Sequence, residues 1–460
     1  MTLPEKFVER VRGDLGPSEG EALCAALCGE PPVSVRLHPD KCGDADALLR
    51  HLEAEAAVPW CAEGRYLRRR PQFTFDPAFH AGAYYVQEAS SQFVGRLVGD
   101  VGGARVLDLC AAPGGKTTLY ASLVGPDGLV VANEIDRRRV QVLADNVRKW
   151  GTANVAVTSC DARTLGDLEG WFDAVAVDAP CSGEGMFRKD EASRGEWSEA
   201  AVRMCAARQD GILREAWRAL RPGGTLVYST CTFNRDEDEG SLERMIAWAG
   251  GELEPAPETA VDPAWGVVCG RVGAFRTYRF FPHRSRGEGF FAAVARKAPG
   301  AGGVRRLPRP RRLPLAPADR AAAAELSRWL SDAGRRRFVA IGDAFYGWSA
   351  AQADAVALLS GAVPVVYAGV GMGQIFKGRL KPDPALAFCT TLDRTVLPSA
   401  ELDAEEALRY LRRQEVAASG MAEGLNLVCC GNRALGFAKR VGGRVNNLYP
   451  LSLRILRQRE

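Results

Sequence analysis

The chain predicts an α/β fold, a mostly parallel sheet with helices on both faces, preceded by a small mixed module and followed by a β-rich one. Three observations carry this. Between residues 86 and 297 apolar strand patterns alternate with helical ones, the arrangement that builds a parallel sheet. Three of those strands run directly into short, chemically distinctive turns, and the carboxyl ends of parallel strands are where open α/β sheets hold ligands. The composition, 47% apolar and 25% charged over 460 residues, is that of a globular chain with room for roughly three domains.

Taken in order, residues 1–85 read as an N-terminal α/β module. Helical periodicity covers 5–15 and 19–27, Val33-Ser34-Val35-Arg36-Leu37 alternates as a strand, and 44–56 is helical again. Strands are expected at 104–109, 128–135, 154–159, 172–178 and 224–230, each an apolar run of buried-strand length. Helices are expected at 117–124, 136–149, 200–220 and 237–249. Apolar segments at 275–281 and 289–295, separated by His283-Arg284-Ser285-Arg286, read as a terminal antiparallel pair that closes this domain at 297. Repeated Pro, Gly and Arg make 298–318 a stiff basic linker. Residues 319–394 form a small α/β subdomain, and 395–460 short strands broken by glycines. No internal repeat is visible.

Net charge is only +4, but basic residues cluster. Residues 296–318 and 432–459 each carry seven Arg or Lys and no acid, and Arg68–Arg70 and Arg335–Arg337 add two more groups. Several clusters in separate parts of one chain favour a polyanion partner. No apolar run approaches the ~18 residues that span a bilayer, and Met1-Thr2-Leu3-Pro4-Glu5-Lys6 has no signal-peptide character, so a cytoplasmic protein with no membrane partner is expected. The thirteen cysteines include no Cys-x-x-Cys, and the four histidines do not cluster with them, so neither a metal site nor a disulfide framework is expected. Cys24 and Cys28 read as helix core positions and Cys429-Cys430 as strand positions without a functional reading.

The turn Cys110-Ala111-Ala112-Pro113-Gly114-Gly115-Lys116 lies between a strand and a helix, where small residues admit a ligand to the backbone. Gly115-Lys116-Thr117 resembles the end of a nucleotide P-loop. The first glycine of that motif would stand at 110, which is Cys110, and Pro113 removes an amide that would cradle phosphate. S-adenosylmethionine fits better. Glu134 after the second strand can accept from ribose hydroxyls, Asp161 after the third from the adenine amino group, and Asp178 ends the fourth.

Two strands, the fourth and the fifth, run into cysteines: Val177-Asp178-Ala179-Pro180-Cys181-Ser182-Gly183 and Tyr228-Ser229-Thr230-Cys231-Thr232. Cys231 precedes the acidic start of the expected helix at 237, whose dipole would favour its thiolate. A thiolate beside a methyl donor suits alkylation of a poor carbon nucleophile. Added to C6 of cytosine, it makes C5 enamine-like, and an acid near N3, for which Asp178 is placed, stabilises the developing charge.

These runs, with Glu184-Gly185 after Gly183 and Tyr84-Tyr85-Val86-Gln87-Glu88-Ala89-Ser90-Ser91 before the domain, resemble the Nop/Sun family of RNA 5-methylcytosine methyltransferases. The resemblance implies a Rossmann-like core with a mostly parallel seven-stranded sheet, S-adenosylmethionine as cofactor, Cys231 as nucleophile and Cys181 as an aid to product release. It also implies that the 110–116 turn, Glu134, Asp161 and Asp178 line the methyl-donor pocket. Gly373-Gln374-Ile375-Phe376-Lys377-Gly378-Arg379, Leu435-Gly436-Phe437-Ala438-Lys439-Arg440-Val441-Gly442-Gly443 and Asn446-Asn447-Leu448-Tyr449-Pro450 resemble the tail of bacterial RsmF-type members. That tail includes a PUA-like RNA-binding module, and the implied substrate is a cytosine of small-subunit (16S) ribosomal RNA. Transfer RNA as the target, and a non-catalytic RNA-binding assembly factor, are the alternatives. Neither DNA binding nor an obligate oligomer is expected.

Overall fold

The computed structural model describes residues 2–301 and 315–457. Most of the linker expected at 298–318 lies outside the described residues. The N-terminal module holds helices Glu5–Leu15 and Pro17–Ala26 and strands β1 (Val33–Leu37), β2 (Ala54–Ala57), β3 (Gly64–Leu67) and β4 (Tyr84–Val86), paired antiparallel in the order β2-β3-β1-β4. The second helix starts at Pro17, a residue pre-set for the first helical position. The helix expected over 44–56 stops at His51. Glu53 then reverses the chain at φ 51°, and the alanines that favour helix by propensity pair as an edge strand instead. Cys28 falls beyond the helix end and is exposed, so it is not a core residue, whereas Cys24 is half-buried.

The central sheet contains β5 (Arg105–Asp108), β6 (Leu129–Asn133), β7 (Val155–Thr158), β8 (Phe172–Asp178), β9 (Leu220–Thr230), β10 (Leu253–Pro255), β11 (Val268–Val272), β12 (Phe275–Phe280) and β13 (Phe290–Lys297). Its seven-stranded heart runs β7-β6-β5-β8-β9-β13-β12. β5 to β9 are mutually parallel, and β13 is antiparallel to both neighbours. Strand order therefore reverses between β5 and β8, which opens a crevice at their carboxyl ends.

Helices Gly115–Val124 and Arg137–Trp150 cover one face, with Trp60 and Phe93. Glu199–Ala219 and Glu239–Ala249 cover the other. The last of these begins at Glu239 rather than 237, because Glu237 and Asp238 are buried in contacts of their own.

The rest of the chain builds two more sheets. β14 (Ala316–Pro317), β15 (Arg336–Ile341), β16 (Ala344–Ser349), β18 (Val370–Phe376) and β19 (Arg379–Pro382) form one. β20 (Ser399–Glu401), β21 (Gly424–Cys430), β22 (Arg433–Val441) and β23 (Arg444–Asn447) form the other. Between β16 and β18, β17 (Val365–Ala368) leaves this region and pairs antiparallel with β7, extending the central sheet. The arginines expected to hold phosphate at 335–337 are instead paired with Asp127, Asp332 and Asp354, so their charge is neutralised within the fold.

Candidate active site

At the switch point the turn 110–116 leaves β5. Gly114 sits at φ 113°, a conformation costly for any residue with a Cβ, and the helix starts at Gly115. Asn133, the last residue of β6, ties the strand ends together. Its amide donates to the carbonyls of Leu109 (3.3 Å) and Cys160 (3.0 Å), and its oxygen accepts from Thr158 Oγ1 (3.0 Å) and the Cys160 amide (3.1 Å). Glu134 follows, only 4% exposed. One carboxylate oxygen accepts from the Asp136 amide (3.0 Å) and the other lies 3.4 Å from Arg139 Nη1. Asp161 caps the next short helix through the Arg163 amide (2.9 Å).

A cavity of about 770 Å³ is lined by the 110–112 end of the turn, Glu134 and Asp161 on one side and by Asp178, Cys181 and Cys231 on the other. A smaller pocket of about 170 Å³ between Tyr85–Glu88 and the turn, reaching Lys116, shares Asp178 with it. All the residues singled out in the sequence thus line one of two adjoining cavities, with Gly114 beneath them in the turn.

Lys116 pairs with Asp178 at 2.8 Å, and Ser229 Oγ donates to the other Asp178 oxygen at 2.8 Å. Burial opposes charge on Lys116, but the charge and hydrogen bond of Asp178, together with Asp108 and Cys231, outweigh it and hold the ammonium above its ordinary pKa. Asp108, at the end of β5, is fully buried. Burial pushes it up to about 7, against the Thr117 hydroxyl that donates to it at 2.6 Å, and the nearby Asp178 charge adds to the rise. Its other oxygen, Oδ1, has no hydrogen-bond partner although it is buried beside the smaller pocket.

The sulfurs of Cys181 and Cys231 lie 3.2 Å apart, and both cysteines are free. Contact with Cys231, then burial, pushes the Cys181 thiol well above its usual range. Their loops are held by carboxylates whose clamping role the sequence did not mark. Glu184, 1% exposed, accepts from Thr232 Oγ1 (2.6 Å), the Phe233 amide (2.8 Å), Asn234 Nδ2 (3.0 Å) and Trp197 Nε1 (2.9 Å). Glu237 accepts from the Ser182 amide (3.0 Å), Gln209 Nε2 (2.7 Å) and Asn234 Nδ2 (2.8 Å). Gln209 also donates to the Pro180 carbonyl (3.1 Å). Asp238 accepts from Thr230 Oγ1 and pairs with Arg279 at 3.1 Å. The acidic run is therefore a loop clamp rather than a helix-dipole decoration. Gly185 N donates to the Cys231 carbonyl at 2.7 Å, and a Cβ on Gly185 would lie 2.5 Å from that oxygen, so only glycine allows the approach.

The cavity suits S-adenosylmethionine. Glu134 retains acceptor capacity for two hydroxyls, and between Cys110 and Lys116 the turn carries only Ala, Pro and Gly. Asp108 Oδ1 leaves an unpaired acceptor beside the smaller pocket, suited to a cationic or donor group.

A Rossmann-like sheet with an acid-lined cofactor crevice at its switch point makes this a methyltransferase of the S-adenosylmethionine-dependent class. Comparison with known proteins agrees. Residues 99–296 match the family described as 16S rRNA methyltransferase RsmB/F, residues 3–89 the N-terminal domain of 16S rRNA methyltransferase RsmF, and residues 398–455 the methyltransferase RsmF PUA domain. Ribosomal RNA small subunit methyltransferase F of Erwinia tasmaniensis is 34% identical over 98% of this chain and 96% of its own length. That of Escherichia coli O9:H4 is 33% identical with the same coverage. The chain belongs to the RsmF family of 16S rRNA methyltransferases.

Among solved structures, a methyltransferase homologue from Pyrococcus horikoshii is 27% identical with TM-score 0.55, covering 64% of this chain and 95% of that one. NSun6 from the same organism, solved with SFG, shares the fold at TM-score 0.55 and 21% identity, covering 66% of this chain and 99% of that one.

Proposed function

We propose that this chain methylates C5 of a cytosine in small-subunit (16S) ribosomal RNA, with S-adenosylmethionine as donor and Cys231 as the covalent nucleophile. The observation that carries the reading is the pair of thiols 3.2 Å apart on the wall of the cofactor crevice, beside the Lys116–Asp178 pair. The match to relatives named as small-subunit ribosomal RNA methyltransferases, and to the PUA domain of that family, supports the substrate over transfer RNA and over a non-catalytic factor.

Glu134, Asp161 and the 110–116 turn hold the donor, which supplies an electrophilic methyl group when bound. The cytosine must be swung out of its stack to reach the crevice. Cys231 thiolate adds to C6, and the electron pair passes to C5 and N3. N3 takes up a proton from solvent as this charge develops; Asp178, fixed by Lys116 and Ser229, accepts the resulting N3–H, and that proton returns to solvent when Cys231 leaves. After methylation the C5 proton is lost to solvent, its electrons restore the C5–C6 double bond, and Cys231 leaves as thiolate. Cys181, held protonated, donates to the departing sulfur.

Incubation of Cys181→Ala with S-adenosylmethionine and 16S ribosomal RNA tests this. The expected result is a denaturant-stable protein–RNA adduct that is absent from Cys181→Ala/Cys231→Ala. Normal release of methylated RNA by Cys181→Ala would remove the role assigned to that thiol, and an adduct that survives loss of Cys231 would remove the nucleophile.

A further inference from the structure

One element that the catalytic reading leaves unused is the hairpin β18–β19. Its two-residue turn, Lys377-Gly378, has both residues at positive φ (50° and 77°), the tight form that matches strand twist and fixes register. Phe376 is opposite Arg379, Ile375 opposite Leu380, and Gln374 opposite Lys381. Because side chains alternate, the ribbon has two unlike faces. Ile375 and Leu380 pack into the core formed with Leu326 and Trp329. The other face presents Gln374, Phe376, Arg379 and Lys381 to solvent, with Phe376 68% exposed.

The cations of this face are unpaired. Among the described residues none of Lys377, Arg379 and Lys381 forms an ion pair, in contrast to Arg335–Arg337, each of which does. The ribbon's own sequence holds no carboxylate; Glu325 accepts from the Leu380 amide at 3.0 Å along its edge, but its ion pair is with Arg328. The first carboxylate beyond the ribbon in the chain, Asp383, is half-buried and caps the following helix. Lys377 Nζ lies over the Phe376 ring at 5.5 Å, so the aromatic face already sits in a cationic setting. The ribbon is also rigidly placed. β18 follows β17 after the single residue Gly369, and β17 is hydrogen-bonded into the catalytic sheet through β7.

We infer that this hairpin is a docking arm for a single-stranded segment of the RNA substrate: an unpaired base stacks on Phe376 while the neighbouring phosphates meet Lys377, Arg379 and Lys381. An aromatic platform flanked by cations is the chemistry that holds single strands without reading sequence. Double-stranded RNA offers no unstacked base to such a platform. The inference rests on the RNA methyltransferase reading for the identity of the substrate, and its anchoring in the central sheet means the arm sets where bound RNA lies relative to the crevice.

The test uses the full-length protein and a labelled oligoribonucleotide of about twelve nucleotides, within the usual site size. Phe376→Ala is expected to weaken binding about tenfold and Phe376→Trp to retain it, stacking being worth about 1–3 kcal/mol per base. Lys377→Gln/Arg379→Gln/Lys381→Gln is expected to flatten the log-affinity against log-salt slope by about 2, at about 0.7 per single-strand phosphate. In methyl transfer, Phe376→Ala is expected to raise KM for RNA and leave kcat unchanged. Wild-type affinity and salt slope in both variants would overturn the arm. So would unchanged RNA binding together with a wild-type dimer that Phe376→Ala converts to monomer by light scattering, since the occupant would then be a second copy. A wild-type protein that grips the oligoribonucleotide through Phe376 yet methylates no RNA supports the arm and counts against the proposed function alone.

Discussion

Cys181 and Cys231 come from strands β8 and β9, and what brings their sulfurs into contact is a set of buried carboxylates around them. Glu184 accepts four hydrogen bonds, three of them from the three residues that follow Cys231. Glu184→Gln keeps the volume but turns one acceptor oxygen into a donor group facing donors, at a cost of about 1–3 kcal/mol per unsatisfied contact. The expected outcome is a 10- to 100-fold fall in kcat with KM for S-adenosylmethionine nearly unchanged, measured on protein whose circular dichroism confirms folding. A parallel rise in that KM would show the loss to be general rather than confined to the thiol loops.

Asp108 gives a pH prediction. Burial lifts its folded pKa to about 7, above the unfolded value, so the fold favours the protonated form. That contribution is fully present below about pH 4 and is lost as pH rises through 7, on the order of a few kcal/mol in all. Asp108→Asn in the cofactor-free protein is expected to melt higher than wild type, with a margin that grows from pH 4 to 7 and then levels off. A margin independent of pH would contradict the buried, proton-seeking carboxyl.

At this scale the thiols and rim acids were legible because each closes an apolar strand with an unusual residue. Glu184, Glu237 and Gln209 were not. Nothing in a linear sequence separates a glutamate that will be buried against four donors from one that will be solvated.

At the scale of elements, the alternation of strands and helices from 104 to 297 was readable because each strand is a continuous apolar run. Segments decided by tertiary partners were not. Ala54–Ala57 has helical composition and becomes a strand at the open edge of β3. The module carrying it also reaches the cofactor turn in a way that no local pattern announces. Arg36, in β1 and 1% exposed, donates to Gln87 Oε1 (2.8 Å), the Gly115 carbonyl (3.1 Å) and Thr118 Oγ1, and its guanidinium lies over Trp150 at 4.7 Å. Burial lowers it to about 10, so it remains charged at neutral pH. This arginine sets the first turn of the helix that begins at the glycine pair. Arg36→Lys cannot form the same planar fork. It is expected to weaken S-adenosylmethionine binding several-fold by calorimetry and to destabilise the chain by about 2–4 kcal/mol. Wild-type affinity in that variant would detach the N-terminal module from the cofactor site.

Over the whole molecule, the N-terminal module, the catalytic sheet and the tail are interlocked. β17 extends the central sheet, Arg433 of the tail donates to the Cys42 carbonyl, and Ala81 and Phe388 belong to the tail's core cluster. The sequence showed a β-rich tail but not that an intervening strand returns to the sheet edge, since partner choice among short strands is a long-range property. This interlocking holds the tail and the hairpin in a fixed frame relative to the catalytic sheet and the N-terminal module.

The measurement that tests the central claim most directly is methyl transfer from labelled S-adenosylmethionine to purified small subunits, free 16S ribosomal RNA and bulk transfer RNA, with bisulfite mapping of the product. The account predicts 5-methylcytosine in ribosomal RNA, made by the wild-type chain and abolished in Cys231→Ala. Label at any position other than cytosine C5, or full activity in Cys231→Ala, would contradict it.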